Sequence, residues 1–323
     1  MPTKLNFTVA IPTYNGASRL PELLERLRNQ IYTENFAWEI IVVDNNSTDN
    51  TAELIKSYQE NWPCSYPLKY CFEAQQGAAY ARKKAVEVAS GEFIGFLDDD
   101  NYPAPTWVAA AYTFGEQHPL VGAYGGQVHG DFEVEPPENF DQIASFLAIT
   151  ERGTEPHRYE PQMKILPPGA GLVVRKQAWE KTVPQNLVLN HKGREAGLAS
   201  EDLEVVLHIQ LGGWEVWYNP EMHVYHQIPA WRLQKEHLVS IFRCVGLSRH
   251  HLRMLRTRPW QRPLASLLYL VNDLRKIIVH SFKYRNALQR GLIPACEIEL
   301  LVSSLISPFF LFKTRYLNNF ISE

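Results

Sequence analysis

Three adjacent carboxylates, Asp98-Asp99-Asp100, follow the apolar run GEFIGFL, and a second acidic pair, Glu201-Asp202, follows Leu198-Ala199-Ser200. Carboxylates in a row repel one another, and keeping them ionised needs a cation or strong donors. Oxygen-only ligands suit Mg²⁺ or Mn²⁺, which take one or two carboxylates and fill the shell with water and phosphate oxygens. A solvated acidic turn is the plainer alternative. Taken alone, the pair after Ser200 reads as a helix start, with Ser200 as cap and the acids favoured by the helix dipole. His226 closes the run EVWYNPEMHVYH, and Gly169-Ala170-Gly171 permits a backbone approach that side chains would block. Of the tryptophans, most of which serve packing, Trp231 is the candidate platform for a sugar.

These groups need elements to hold them. The apolar, β-rich runs at 7–11, 39–44, 68–73 and 92–100 read as strands, the last carrying the acidic triplet at its end. Between them lie helical texts: SRLPELLERLRNQ, with Ser18 as a possible cap, TAELIKSYQEN and AAYARKKAVEVAS. Strand and helix alternate, and mostly apolar strands imply helices on both faces of a parallel sheet. Polar residues then gather at strand C-termini, where ligands bind in such sheets. ERGTEPHRYEPQ is polar and turn-rich, a candidate mobile loop. From Ala230 the text is helical, dividing the chain into 1–229 and 230–323. Neither GxGxxG after the first strand nor GxxxxGK[ST] is present, which disfavours a dinucleotide dehydrogenase and a P-loop NTPase.

The formal net charge of −3 conceals an asymmetry: residues 230–323 carry about +10 and the remainder about −13. A basic tail fits an anionic membrane surface or a protein partner, and no nucleic-acid-binding motif accompanies it, so nucleic acid is not expected. Arg249, Arg253 and Arg256 fall on one helical stripe. Cys64, Cys71, Cys244 and Cys296 form no CxxC or disulfide pattern and fit a reducing cytosol. No secretory leader is expected before a strand that begins within ten residues of Met1. The apolar run from Leu300 to Phe312 is 13 residues, interrupted by Pro308, and is too short for a membrane span. A cytoplasmic protein, peripheral on the inner face of the plasma membrane at most, is expected.

IPTYNG, VVDNNSTDNT, GEFIGFLDDD and SEDLE…YNPEMHVYH, in that order from Phe7 to about Pro229, resemble the inverting glycosyltransferases of family two. The resemblance implies the GT-A fold: an α/β, nucleotide-sugar-binding mixed sheet flanked by helices, here with a C-terminal helical extension. It implies a nucleotide-diphosphate-sugar donor, UDP the expected nucleotide, and a saccharide or lipid-linked acceptor. Pro12, Thr13, Tyr14 and Asn15 would pack beside the base, which Asp44 would read, with Asn46 in the same pocket. Asp49 is read as a helix cap. Arg82 matches a basic position near the donor. Asp98 would face the donor ribose or the metal, Asp99 would belong to the donor site, and Asp100 would be the main ligand of Mg²⁺ or Mn²⁺, with His226 near it. Asp202 would be the general base and Glu201 would orient the acceptor. Gly169, Ala170 and Gly171 would approach sugar or acceptor.

Asn45 stands where the family often has a second acid, which leaves the base contacts open. The QxxRW signature of processive members is absent, implying one sugar per encounter. FEVEPPENF, PPGAGLVVRKQAW and SSLISPFFLF further resemble cyanobacterial glycosyltransferases of hormogonium polysaccharide synthesis, implying a role in making an exported polysaccharide. A sugar nucleotidyltransferase and a non-catalytic assembly scaffold are the alternatives. The first usually carries a Gly-rich basic loop that IPTYNG is not, and the second would not require two acidic centres.

Overall fold

Four apolar runs become the parallel half of one sheet. In the computed structural model, which describes residues 5–62, 65–163, 165–190, 198–285 and 291–321, these are β1 (Phe7–Thr13), β2 (Trp38–Asp44), β3 (Leu68–Phe72) and β4 (Phe93–Phe96). They lie in the order β3-β2-β1-β4, every neighbouring pair parallel. The crossovers are α1 (Leu20–Arg28), α2 (Thr51–Glu60) and α3 (Ala78–Val88). Leu20, Leu23, Leu24 and Leu27 of α1 are fully buried, one stripe facing the sheet. Pro12 is tolerated inside β1 because the ladder to β4 ends at Ala10, so no partner waits on that side. Cys64 lies outside the described residues.

Of the two helix caps expected in this half, one is absent and one is formed. α1 begins at Leu20 with Arg19 before it, and Ser18 makes no cap. Asp49 does hold a helix start, its carboxylate accepting the Thr51 N–H of α2 and the Ala17 N–H of the first loop.

The fourth strand is shorter than its apolar text. β4 stops at Phe96, the Asp98 carbonyl accepts the Asn101 N–H at 2.9 Å, and the chain turns before β5 (Asn101–Pro103). The three carboxylates therefore occupy a turn rather than a strand, where alternate side chains need not point to opposite faces. Next come α4 (Trp107–Gln117), β6 (Val121–Phe132), β7 (His157–Arg158), β8 (Val173–Arg175), α5 (Lys176–Thr182), α6 (Glu201–Leu211) and β9 (Glu215–Ile228). β8 runs antiparallel to β4 and to β6, β9 is parallel to β6, and β5 is antiparallel to β9. The result is the expected mixed sheet, of nine strands among the described residues, flanked by helices. The candidate mobile loop is pinned at two places: β7 pairs with β9, and Tyr159 is 1% exposed.

The C-terminal extension forms α7 (Lys235–Leu255), α8 (Arg262–Lys283) and α9 (Leu292–Ile321). α7 runs unbroken for 21 residues. α9 crosses it closely at Gly246, where an added Cβ would come within 2.6 Å of the Ser303 Cβ and 2.9 Å of the Leu300 carbonyl. Buried Ser303, Ser304 and Ser307 complete that small-residue seam. α9 also corrects the reading of Pro308. The helix continues through it, since the fixed φ of proline is helical and only one N–H is lost. Leu292–Thr314 is thus 23 residues, its most apolar 18-residue window having a mean hydropathy of 1.7, long and apolar enough by length and composition to cross a membrane, although its serine face is packed against α7. α8 is turned the other way round from an ordinary surface helix. Asp273 and His280 face inward and are buried, while Leu264, Leu267, Val271, Ile278 and Phe282 are exposed.

Candidate active site

One open cleft of ≈ 2380 Å³ runs from the ends of β1 and β4 past the start of α6 to α7 and α8. Its walls include Tyr14, Asn15, Arg82, the acidic triplet, Gly169, Ala170, Glu201, Asp202, His226 and Trp231. Segments more than a hundred residues apart in sequence are therefore brought to one place.

The triplet is divided among three arginines. Arg82 donates to Asp98 at 2.9 Å, Arg19 to Asp99 at 2.7 and 2.9 Å, and Arg232 to Asp100 at 2.6 Å. Asp99 also accepts the Thr13 hydroxyl at 2.6 Å, so its carboxylate ties the end of β1 to the triplet and orders the loop. Asp98 is pushed up by burial and by Asp100, Asp99 and Glu201, with Arg82 opposing. Asp100 is held well below the usual carboxylate range: burial works against its charge, but the Arg232 guanidinium bonded to it favours the charged form.

Arg82 is 6% exposed rather than a surface residue, and its second guanidinium nitrogen donates to Glu201. One buried cation therefore joins the two acidic centres. Burial opposes its charge, yet Asp98, Glu201 and Asp202 keep it protonated. Asp202 is raised to about 6 by burial and by Glu201, Arg82 and the backbone N–H groups of Leu203 and Gly169 partly offsetting this. Gly169 permits that approach, since a Cβ there would stand 2.9 Å from the Asp202 Oδ2. The cap reading of Ser200 fails: Ser200 is left-handed, φ 75°, with no capping hydrogen bond. The twist instead delivers Glu201 and Asp202 to the cleft.

His226 gives its Nδ1–H to the Leu147 carbonyl at 2.8 Å, a tautomer assigned from that acceptor, which leaves Nε2 facing Arg232 at 2.7 Å. Nε2 lies 3.7 Å from Asp100 Oδ2. Asp100 and His226 thus share one cation, the Arg232 guanidinium, beside Asn101, whose buried Oδ1 has no hydrogen-bond partner among the described residues. These donors fit a divalent ion that takes most of its shell from water and phosphate oxygens. They do not fit a site built wholly of protein ligands, for among the described residues no three His, Cys, Asp or Glu converge. Asp98, expected as a ligand beside Asp100 and His226, is turned to Arg82 instead.

The base pocket differs more. Tyr14 and Asn15 line the cleft; Pro12, Thr13, Asp44, Asn46 and Gly171 do not. Asp44 is 2% exposed, accepting the Ser47 N–H and the Tyr70 hydroxyl at 2.9 Å each. Burial and Asp44 push the Tyr70 hydroxyl up to about 12. Asn46 is an exposed turn residue with φ 63°, and Gly171, φ 69°, turns the chain into β8. Asn45 explains itself as an amide: it donates to the carbonyls of Glu73 and Gln75 and accepts the Gly77 N–H. A carboxylate could not donate. Trp231 stands at the cleft with the Arg232 guanidinium 5.5 Å from its ring centre.

Arg19 and Arg232 went unread in the sequence. Their signal was indirect: three adjacent acids require counter-charges, and arginines follow both IPTYNG and Trp231.

The model of the Glycosyl transferase family 2 matches residues 8–179. The Escherichia coli (strain K12) uncharacterized glycosyltransferase YibD is 37% identical over 99 residues, 31% of this chain and 27% of that protein. The Escherichia coli UDP-Glc:alpha-D-GlcNAc-diphosphoundecaprenol beta-1,3-glucosyltransferase WfaP is 30% identical over 149 residues, 44% of this chain and 57% of its own length. The chain therefore covers less than two thirds of either relative. Among solved structures, the Pyrobaculum calidifontis mannosyltransferase PcManGT, in complex with GDP-Man and Mn²⁺, shares the fold at a TM-score of 0.56 and 20% identity, over 95% of this chain and 90% of that one.

Proposed function

This chain belongs to glycosyl transferase family 2, and on that premise we propose that it moves one sugar from a nucleotide-diphosphate donor, UDP by expectation, to a hydroxyl of a saccharide or lipid-linked acceptor, with inversion. The observation that carries the reading is the buried Arg82 bridge, which joins Asp98 to Glu201 and so makes one site of two acidic centres. Asp202, raised to about 6, accepts the proton of the attacking acceptor hydroxyl as the anomeric bond to the diphosphate breaks. Glu201, fixed by Arg82, orients the acceptor. Tyr14 and Asn15 border the base, and Trp231 offers an apolar face to a sugar.

Asp100 and His226 would hold Mg²⁺ or Mn²⁺, and the metal, when bound, supplies charge neutralisation for the departing diphosphate. PcManGT's Mn²⁺ and WfaP's UDP-glucose support the choice of ion and nucleotide. Residues 1–229 carry the reacting carboxylates, and 230–323 adds Trp231 and Arg232 to the cleft and serves attachment. The outward apolar face of α8, preceded by exposed Trp260 and flanked by Arg258, Arg262 and Lys283, is the pattern of a helix lying in a membrane interface. The chain then works in the cytoplasm, peripheral on the inner face of the plasma membrane. The cyanobacterial resemblance supports an exported polysaccharide as the product's destination.

Titration with UDP-, GDP- and dTDP-sugars, with and without Mn²⁺, tests the reading. One donor should bind and be slowly hydrolysed, and Asp100→Ala should lose the metal-dependent part of the affinity. Binding of none would refute the donor assignment, and equal affinity with and without metal would refute the ion.

A further inference from the structure

The arginine stripe noted in the sequence lies in the same cleft as Asp202. Arg249 and Arg253 of α7 and Arg256, the residue after it, line its far end together with Tyr269, Asn272 and Lys276 of α8. Contacts fix this end behind the proton acceptor: Arg82 joins Asp98 to Glu201 at the start of α6, and Glu204, less than one turn on, accepts from His251 of α7 at 2.8 Å. The stripe is therefore reached from the donor carboxylates across α6.

Its charges are unevenly matched. Arg253 is neutralised by buried Asp273 through bonds of 2.5 and 2.9 Å and lies 4.6 Å from the Tyr269 ring centre. Arg249 has no such partner: burial and the adjacent Arg253 both lower its pKa, and Asp273 offsets them only in part. Arg256 donates to a neutral acceptor, the Pro161 carbonyl at 3.1 Å, and burial lowers its pKa too. Two half-buried guanidinium groups with no carboxylate partner among the described residues are costly unless an anion completes them. Their forked donors suit phosphate oxygens. The opposite face of α8 is the exposed apolar one, so a bilayer against it would bring phosphates at its surface level with this end of the cleft.

We propose that Arg249 and Arg256, with Lys276 at the mouth, bind the phosphate or diphosphate of the acceptor, which makes the acceptor a sugar carried on a lipid phosphate. This rests on the reading of Asp202 as proton acceptor, since that reading makes the far side of α6 the acceptor side.

Calorimetry on the full chain, its donor site filled with UDP and Mg²⁺, separates the sources of the anion. Inorganic pyrophosphate and farnesyl diphosphate should bind, and farnesol should not. Arg249→Gln with Arg256→Gln should weaken both diphosphates by about tenfold or more while UDP affinity and melting temperature hold. Lys276→Gln, at an exposed position that folding tolerates, should weaken them severalfold. Unchanged diphosphate affinity in the arginine pair, or farnesol binding as well as its diphosphate, would overturn the proposal. So would full competition by phosphatidylglycerol vesicles, which would make the stripe a headgroup site. A chain that bound pyrophosphate through these arginines but failed to bind UDP would refute the donor reading and leave the anion site standing.

Discussion

At the sheet end of the cleft each carboxylate of the triplet has its own arginine: Asp98 with Arg82, Asp99 with Arg19, Asp100 with Arg232. Along α7 and its end, by contrast, Asp273 neutralises Arg253 alone, and among the described residues Arg249 and Arg256 have no carboxylate bonded to them. Matched charges hold positions before any ligand arrives, whereas unmatched ones are completed by what binds. The difference explains how three adjacent acids survive at a buried turn, and it separates the part of the cleft that is built from the part that waits.

The largest effect is expected at Arg82. Arg82→Met strands Asp98 and Glu201 without their cation, and should cost about 3–5 kcal/mol in chemical denaturation; a loss below 1 kcal/mol would mean that the bridge does not hold the site together. Next is Asn45→Asp, which removes two donated bonds at the end of β2 and should cost about 1–3 kcal/mol by the same measurement. Wild-type stability would show that the amide is dispensable and the family's acid acceptable there.

The pH profile probes the acidic pair directly. Asp202 must be ionised to accept a proton, so kcat should fall about tenfold per pH unit below about 6 and level off above it. Stability should move the other way. A carboxyl raised in the folded state contributes fully below its unfolded pKa, and that contribution fades as pH rises through about 6. A flat kcat between pH 5 and 7 would remove Asp202 from the reaction. The smallest effect belongs to the far end: Arg249→Gln should change stability by no more than about 0.5 kcal/mol, or raise it, because it removes an unmatched charge. A loss as large as that for Arg82 would erase the distinction between the two ends.

What the sequence disclosed follows the range of the forces involved. Apolar runs at 7–11 and 39–44 and the leucine stripe of α1 are local signals, and those elements formed as read. The acidic centres were visible as clusters. Their partners were not, because Arg19 lies 80 residues from Asp99 and Arg232 lies 132 from Asp100, distances only the fold closes. Local chemistry misled where tertiary context overrode it: Ser200 offered a cap and became a left-handed turn, and Pro308 read as a break yet sits inside α9. The mixed half of the sheet was equally hidden, since β8 is only three residues long and pairs on both sides with strands distant in sequence.

The central claim is that Asp202 takes the acceptor's proton in a site whose donor contacts lie elsewhere. The direct test is Asp202→Asn, with donor affinity by calorimetry and transfer by single turnover on the same preparation. Donor affinity should stay within about twofold of wild type while turnover falls by about 10²-fold or more. Near-wild-type turnover with intact donor binding would contradict that role for Asp202.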